Sequence, residues 1–179
     1  MKSKLFFLLT LVALAACNDD LKITNQRVFF EMHYYNNAWG YSNNATIIDS
    51  TGNMSVYVIA EDSKWIQPDS TGKISRADMN RNLALPHSVL HNIKSDSLQY
   101  YVNLIDNAAE GELSEPAYVM ADAGIIQYLA YVYDEKSDNY KRIMLYQWGD
   151  VQITNSAPES QMLSAWLTRM RQYQYGIAD

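Results

Sequence analysis

Residues 124–133 constrain this chain more than any other stretch. Ile125, Leu129, Tyr131 and Tyr133 alternate with Ile126, Tyr128, Ala130 and Val132, so a strand here is apolar on both faces and belongs near the core. The polar run 134–139 follows, residues 140–148 return as the partner strand of a hairpin, and Gly149-Asp150 breaks it. Residues 26–35 carry the same two-faced pattern. Val28, Phe30, Met32 and Tyr34 share one face and Phe29, Glu31, His33 and Tyr35 the other, which predicts a central strand. Residues 45–50 and 54–60 flank the turn Thr51-Gly52-Asn53 and predict another hairpin, with Gly52 supplying the positive φ. Shorter strands are expected at 117–120 and 151–154.

Helical signals fall between and after these strands. Residues 75–85 read as a helix capped at Ser75 and ended by Pro86. Asp96 or Ser97 caps a second helix in which Leu98, Tyr101, Val102 and Ile105 form a stripe and Gly111 the stop. At the C-terminal end, Ser156 and Glu159 have the spacing of a capping box, Pro158 sits in the first turn, and Met162, Leu163, Trp166, Leu167 and Met170 form an apolar stripe. The fold class is therefore α+β. An antiparallel sheet from an N-terminal strand and two hairpins is covered on one face by the middle helices and the C-terminal amphipathic helix, as one domain over residues 26–179.

The tetrapeptide Asp49-Ser50-Thr51-Gly52 recurs as Asp69-Ser70-Thr71-Gly72 with nothing else repeating around it, which reads as reused turn chemistry. Extended to Asp78, the second copy resembles the latter part of an EF-hand calcium loop. Gln67 stands at the first ligand position, however, and Asp78 closes the loop where a longer Glu gives bidentate reach. The local reading is a turn followed by the helix capped at Ser75. His87 and His91 stand four apart, on one face if that segment is helical, with Ser88 where a zinc-protease signature has Glu. His33 is a third ligand only by elimination, so no metal and no other cofactor is assigned.

The loop 36–44 is rich in Asn yet holds Trp39 and Tyr41. With Tyr35, these rings amid side-chain amides suit a sugar platform, because rings stack on pyranose faces and amides bond hydroxyls. The more ordinary fate of a loop Trp is to fold back over one end of a sheet. Glu110, Glu112 and Glu115 form an acidic patch around a proline-marked loop, where solvation is the commoner role of such groups than acid–base work. There is no Gly-rich phosphate loop, nucleophile elbow or Cys/His cluster.

The beginning of the chain speaks of destination. Lys2 and Lys4 precede the apolar run 5–16, broken only by Thr10, in the order of a secretory signal too short to remain as a span. It ends in Leu14-Ala15-Ala16-Cys17, which resembles the lipobox of bacterial lipoprotein precursors. The alternative is an ordinary secretory signal with Cys17 near the cleavage site. The resemblance implies a signal peptide over 1–16, acylation of Cys17, and firm anchoring by more than one acyl chain. Asn18-Asp19-Asp20 follows and resembles the surface-export tag of Bacteroidota lipoproteins. A solvated acidic linker and an enterobacterial retention signal are its alternatives. Residues 18–25 then form a polar tether.

Cys17 is the sole cysteine, so no intramolecular disulfide forms. The formal charge is −6, and the leader contains lysines but no acid, so removing it makes the balance more negative still. That disfavours nucleic acid and anionic lipid as partners. Two functional classes remain. One is a lipid-anchored outer-membrane lipoprotein, at the cell surface or on the periplasmic leaflet, that binds a glycan, a peptide or an envelope protein without catalysis. The other is a small envelope hydrolase that uses a carboxylate pair on glycan or peptidoglycan.

Overall fold

A computed structural model describes residues 25–176. The expectations for the signal peptide, for Cys17, and for Asn18, Asp19 and Asp20 lie outside the described residues. In chain order the strands are β1 (Val28–Asn36), β2 (Ser42–Asp49), β3 (Asn53–Val58), β4 (Lys73–Ser75), β5 (Ser88–Asn92), β6 (Ala117–Tyr118), β7 (Ile125–Asp134), β8 (Asn139–Gly149) and β9 (Val151–Thr154). The helices are α1 (Arg76–Leu83), α2 (Ser95–Val102), α3 (Ile105–Ala108) and α4 (Pro158–Arg171), the last running into a 3-10 turn at Gln172–Tyr175.

The fold is α+β. The nine strands form one sheet in the order β5-β3-β2-β1-β7-β8-β9-β6, with β4 added alongside β8, and neighbouring strands pair antiparallel. The N-terminal strand and the two hairpins read from the alternation are β1, β2–β3 and β7–β8. β1 lies between β2 and β7, the place that its two apolar faces demand.

Both faces of the sheet are buried, by different elements. On one, Phe30, Met32, Ile126, Tyr128 and Leu145 pack with Leu98 of α2, Ile105 of α3, and Leu163, Trp166 and Leu167 of α4. Trp166 meets Phe30 edge-on at 5.0 Å and stacks on Tyr101 at 4.1 Å. On the other, Ala45, Ile47, Tyr57, Tyr131 and Tyr140 pack with Ile59, Met79 of α1, Trp65 and Ile66. The middle helices thus divide: α2 and α3 join α4, while α1 lies opposite with the segment 59–66. Each large apolar side chain so buried contributes about 1.5–3 kcal/mol relative to exposure.

The local signals hold where no distant partner competes. Asp49 Oδ1 accepts from the Thr51 amide at 2.8 Å, the Asn53 amide at 3.1 Å and the Thr51 hydroxyl at 2.7 Å. Asp69 Oδ1 does the same with the Thr71 amide at 2.8 Å, the Lys73 amide at 3.0 Å and the Thr71 hydroxyl at 2.7 Å. The two copies build one turn twice. Ser75 caps α1 by accepting the Asp78 amide at 3.0 Å.

Elsewhere a tertiary partner wins. Ser156 does not cap α4: its hydroxyl accepts the Glu112 amide at 2.9 Å, the cap position falls to Ala157, and Asn155 Oδ1 takes the Ala157 amide at 3.0 Å. Met162 drops out of the buried stripe and is exposed. The second middle helix breaks between α2 and α3, where the Leu104 amide bonds to Tyr101 O at 3.1 Å in a tightened 3-10 manner.

The sheet has two distinct ends. At one, Asn25 donates to Glu135 in the β7–β8 turn, and the side chain of Gln26 donates to Tyr131 O and accepts the Tyr133 amide. At the other lie the loop after Asn36, Gly124 and Gly149. The nine residues of β1 span this distance, about 30 Å.

Candidate functional site

The end of β1 remote from Gln26 carries the residues singled out for ligand binding. Asn36 fastens the loop that follows: its Nδ2 donates to Asp122 O at 3.2 Å and its Oδ1 accepts the Ala38 amide at 2.7 Å. Gly124 permits this closeness. At its φ of +74° a Cβ would lie 2.6 Å from Tyr35 O, a conformation and a contact that glycine alone tolerates.

On that frame Trp39 stands 84% exposed. It does not fold back over the sheet. Tyr35 and Tyr41 are partly exposed and meet edge to face at 6.2 Å, so the structure brings these two together. Each phenol oxygen accepts an amide N–H, Tyr35 from Asn37 and Tyr41 from Asn43 at 3.0 Å. The same pole exposes Tyr118, Val119 and Met120. The segment that bears them is tied down by the Ala123 amide bonding to Asp150 Oδ1 at 2.8 Å and the Val119 amide to Asp150 O at 3.1 Å.

Beside the rings, on the α1 face, opens a cleft of about 270 Å³ lined by His33, Tyr35, Asn43, Gln67, Ile125 and Gln127. Three of these are side-chain amides. Gln127 donates to Gln147 at 2.7 Å, and Gln147 donates in turn to Val151 O at 3.1 Å, so the carbonyl end of Gln127 is left for another partner. Trp65 stands edge-on to His33 at 6.4 Å.

Behind the cleft lies a buried polar chain. Glu31, 4% exposed, receives His33 Nδ1 at 2.7 Å on one oxygen and the Tyr131 hydroxyl on the other. His33 Nε2 lies 2.7 Å from Asn43 Oδ1. Burial opposes the charge on Glu31, but the hydrogen bond and charge of His33, the Tyr131 hydroxyl and the charge of Arg142 hold its carboxyl below the usual range. For His33, burial opposes the charged ring and Arg142 adds to that, yet the bond and charge of Glu31 and the Asn43 carbonyl raise its pKa. Burial, then Glu31, pushes the Tyr131 phenol well above its ordinary value. It therefore stays a donor.

The other candidates come to rest in ordinary roles. His87 and His91 lie at and beside the strand β5, not on a helix. His87 packs on Tyr57 at 4.9 Å and His91 stacks on Tyr173 at 4.0 Å, rings that belong to opposite sides of the sheet. Asp69 spends its acceptor on the turn, whose hydrogen bonds, that of Lys73 foremost, lower its pKa. Glu110, Glu112 and Glu115 are exposed. Glu31 is the one buried carboxylate among the described residues.

Sequence reasoning named Tyr35, Trp39 and Tyr41 with the asparagine amides of the loop 36–44, gave Gln67 only a place in the calcium-loop comparison, and gave Glu31 and Gln127 no part in a site. One signal was present: Glu31 and His33 are two apart in a strand with apolar neighbours, hence on one covered face, where a carboxylate and an imidazole must find each other. Comparison of the chain with protein-family models, with curated proteins and with solved structures found no match.

Proposed function

We propose that this chain is a lipid-anchored, non-catalytic binding module of the outer membrane, exposed at the cell surface, and that its ligand is a glycan. The observation that carries the reading is the Tyr35–Tyr41 ring pair beside a cleft walled by the amides of Asn43, Gln67 and Gln127, with the exposed Trp39 on the loop between the two tyrosines. Rings stack on the C–H faces of a pyranose while amides bond its hydroxyls. An apolar protein surface pressed on the same place would leave the Gln67 amide and the Gln127 carbonyl unpaired. The described chain starts at the opposite end of β1, which supports a reading in which an acylated Cys17 leaves this pole free for a ligand. A hydrolase working through two carboxylates needs a pair of acids in a cleft, and the residues lining this one include none.

Calorimetric titration of the purified mature protein with soluble glycan oligomers tests the reading. Saturable binding is expected, weakened about tenfold by Trp39→Ala through loss of one stacking surface. Absence of saturable binding to every oligomer defeats it. Mass spectrometry of the native protein is expected to find acyl chains on Cys17, and protease treatment of intact cells is expected to remove the domain. An unmodified thiol refutes the anchor, and full protection refutes surface exposure.

A further inference from the structure

A glycan platform of rings and amides does not by itself call for a buried acid and imidazole behind it. The hydrogen bonds running out from that pair have a direction. His33 Nδ1 faces Glu31 and Nε2 faces Asn43 Oδ1, each at 2.7 Å; with the Asn43 amide in this orientation both ring nitrogens meet acceptors and both carry hydrogen. Asn43 Oδ1 is thereby occupied, and its Nδ2 donates to the Tyr41 oxygen at 3.0 Å. Tyr41, having accepted, keeps its own O–H for whatever lies outside. Tyr35 is placed alike by the amide of Asn37. The pole thus presents two phenols whose oxygens already accept a side-chain amide.

We propose that Glu31 and His33 are positioning residues that lock Asn43 so that Tyr41 offers a hydrogen-bond donor, and that the ligand is a neutral sugar bearing an acetamido group whose carbonyl accepts it. This rests on the glycan reading above. Among neutral saccharide groups the amide carbonyl is the strong pure acceptor, whereas a hydroxyl is served equally by a donor or an acceptor. The methyl of the acetamido group is apolar and suits the adjoining rings. A carboxylate sugar would accept as well, but the formal charge of −6 opposes it.

The arrangement reverses when His33 loses its outer proton. Nε2 then becomes an acceptor, the Asn43 amide turns over to donate to it, and Tyr41 turns its O–H inward to Asn43 Oδ1, leaving Tyr41 only lone pairs for the acetamido carbonyl, while Tyr35, placed by Asn37, is unchanged. The groups facing His33 that could drive or mask this are Glu31 on its own strand, Tyr131 on β7 and Arg142 on β8. β2 contributes Asn43 and the segment after β3 contributes Trp65, and neither titrates in the relevant range.

The test titrates the mature protein with an N-acetylglucosamine trimer and with a glucose trimer at about pH 6 and about pH 9. The acetamido trimer is expected to bind about tenfold tighter at the lower pH, with the preference lost at the higher pH. Asn43→Asp supplies a carboxylate that accepts from both His33 and Tyr41, and is expected to abolish the preference at both. Equal binding of the two trimers at the lower pH overturns this inference and leaves the glycan reading standing. Binding of neither overturns both. Nitrogen NMR of the unliganded wild-type protein judges the lock independently of any variant: two protonated ring nitrogens on His33 are expected at about pH 6, and a single neutral tautomer there overturns it.

Discussion

Glu31→Ala is the perturbation that reaches deepest into this structure. Glu31 is 4% exposed, and both its oxygens are engaged, by His33 Nδ1 at 2.7 Å and by the Tyr131 hydroxyl. Truncation leaves a buried cationic ring and a buried phenol without an acceptor, and removing one partner of a buried pair costs about 3–5 kcal/mol. Against a total stability of about 5–15 kcal/mol for a domain of this kind, that is a large fraction. Dependence on pH identifies the cause. The folded pKa of Glu31 lies below the ordinary 4.5, so its contribution is complete above that value and is lost as pH falls through the folded one. The folded pKa of His33 lies above the ordinary 6.5, so its contribution is complete below that value and is lost as pH rises through the folded one. The pair therefore stabilises most between the two ordinary values. Above the upper one, stability falls by up to about 1.4 kcal/mol per pH unit until His33 has lost its proton. Urea denaturation across this range, on wild type, Glu31→Ala and His33→Gln, is the assay. A truncation cost under about 1 kcal/mol, or a wild-type slope above the ordinary His value that His33→Gln leaves unchanged, refutes the reasoning.

Three further outcomes follow from the same geometry. Trp39→Ala changes stability by less than about 0.5 kcal/mol, because the ring is 84% exposed and packs on little, and urea denaturation checks it. Gly124→Ala destabilises by about 1–3 kcal/mol, since it forces a left-handed φ and sets a Cβ 2.6 Å from Tyr35 O; the midpoint of thermal unfolding reads it. Adding millimolar calcium leaves the thermal midpoint in place, because Asp69 Oδ1 is already spent on the amides and hydroxyl of its own turn; a calcium-dependent rise would contradict that account.

What was legible in the sequence is what short-range chemistry decides. The alternation gives most of the face assignments in β1, β7 and β8, because a strand has period two, but bulges break it: Val28, read as sharing a face with Phe30 and Met32, packs on the α1 side, and the neighbours Leu145 and Tyr146 both join the α4 side. The Asp-Ser-Thr-Gly turns and the Ser75 cap close within a few residues of themselves. Ser156 was read as a cap by the same logic, but the Glu112 amide, distant in sequence, takes its hydroxyl. The cleft was illegible for a related reason. Gln67, Gln127 and Asn43 come from three separate segments, and nothing local in any of them records the other two. The role of Glu31 and His33 depends on the α1 side of the sheet being covered, and the covering elements carry few apolar residues: Met79 and Leu83 from α1, and Trp65 and Ile66 before it.

The two ends of β1 give the glycan proposal its physical sense. Apolar rings left in water are tolerated singly, but Trp39, Tyr118, Val119 and Met120 are all exposed at one pole. Were that pole beside the anchor, lipid would be the simplest cover for them. The described chain instead enters at the far end, beside Glu135 and Tyr131. A tether over residues 18–25 reaches at most about 27 Å, and β1 adds about 30 Å beyond it. Under the proposed anchoring at Cys17, that geometry lets the rings stand as far as about 60 Å from the acylated sulfur. The proposed glycan is then a cover that comes from outside the bilayer, and the open Gln67 amide and Gln127 carbonyl favour one polar enough to satisfy N–H and C=O groups as well as flat enough to stack.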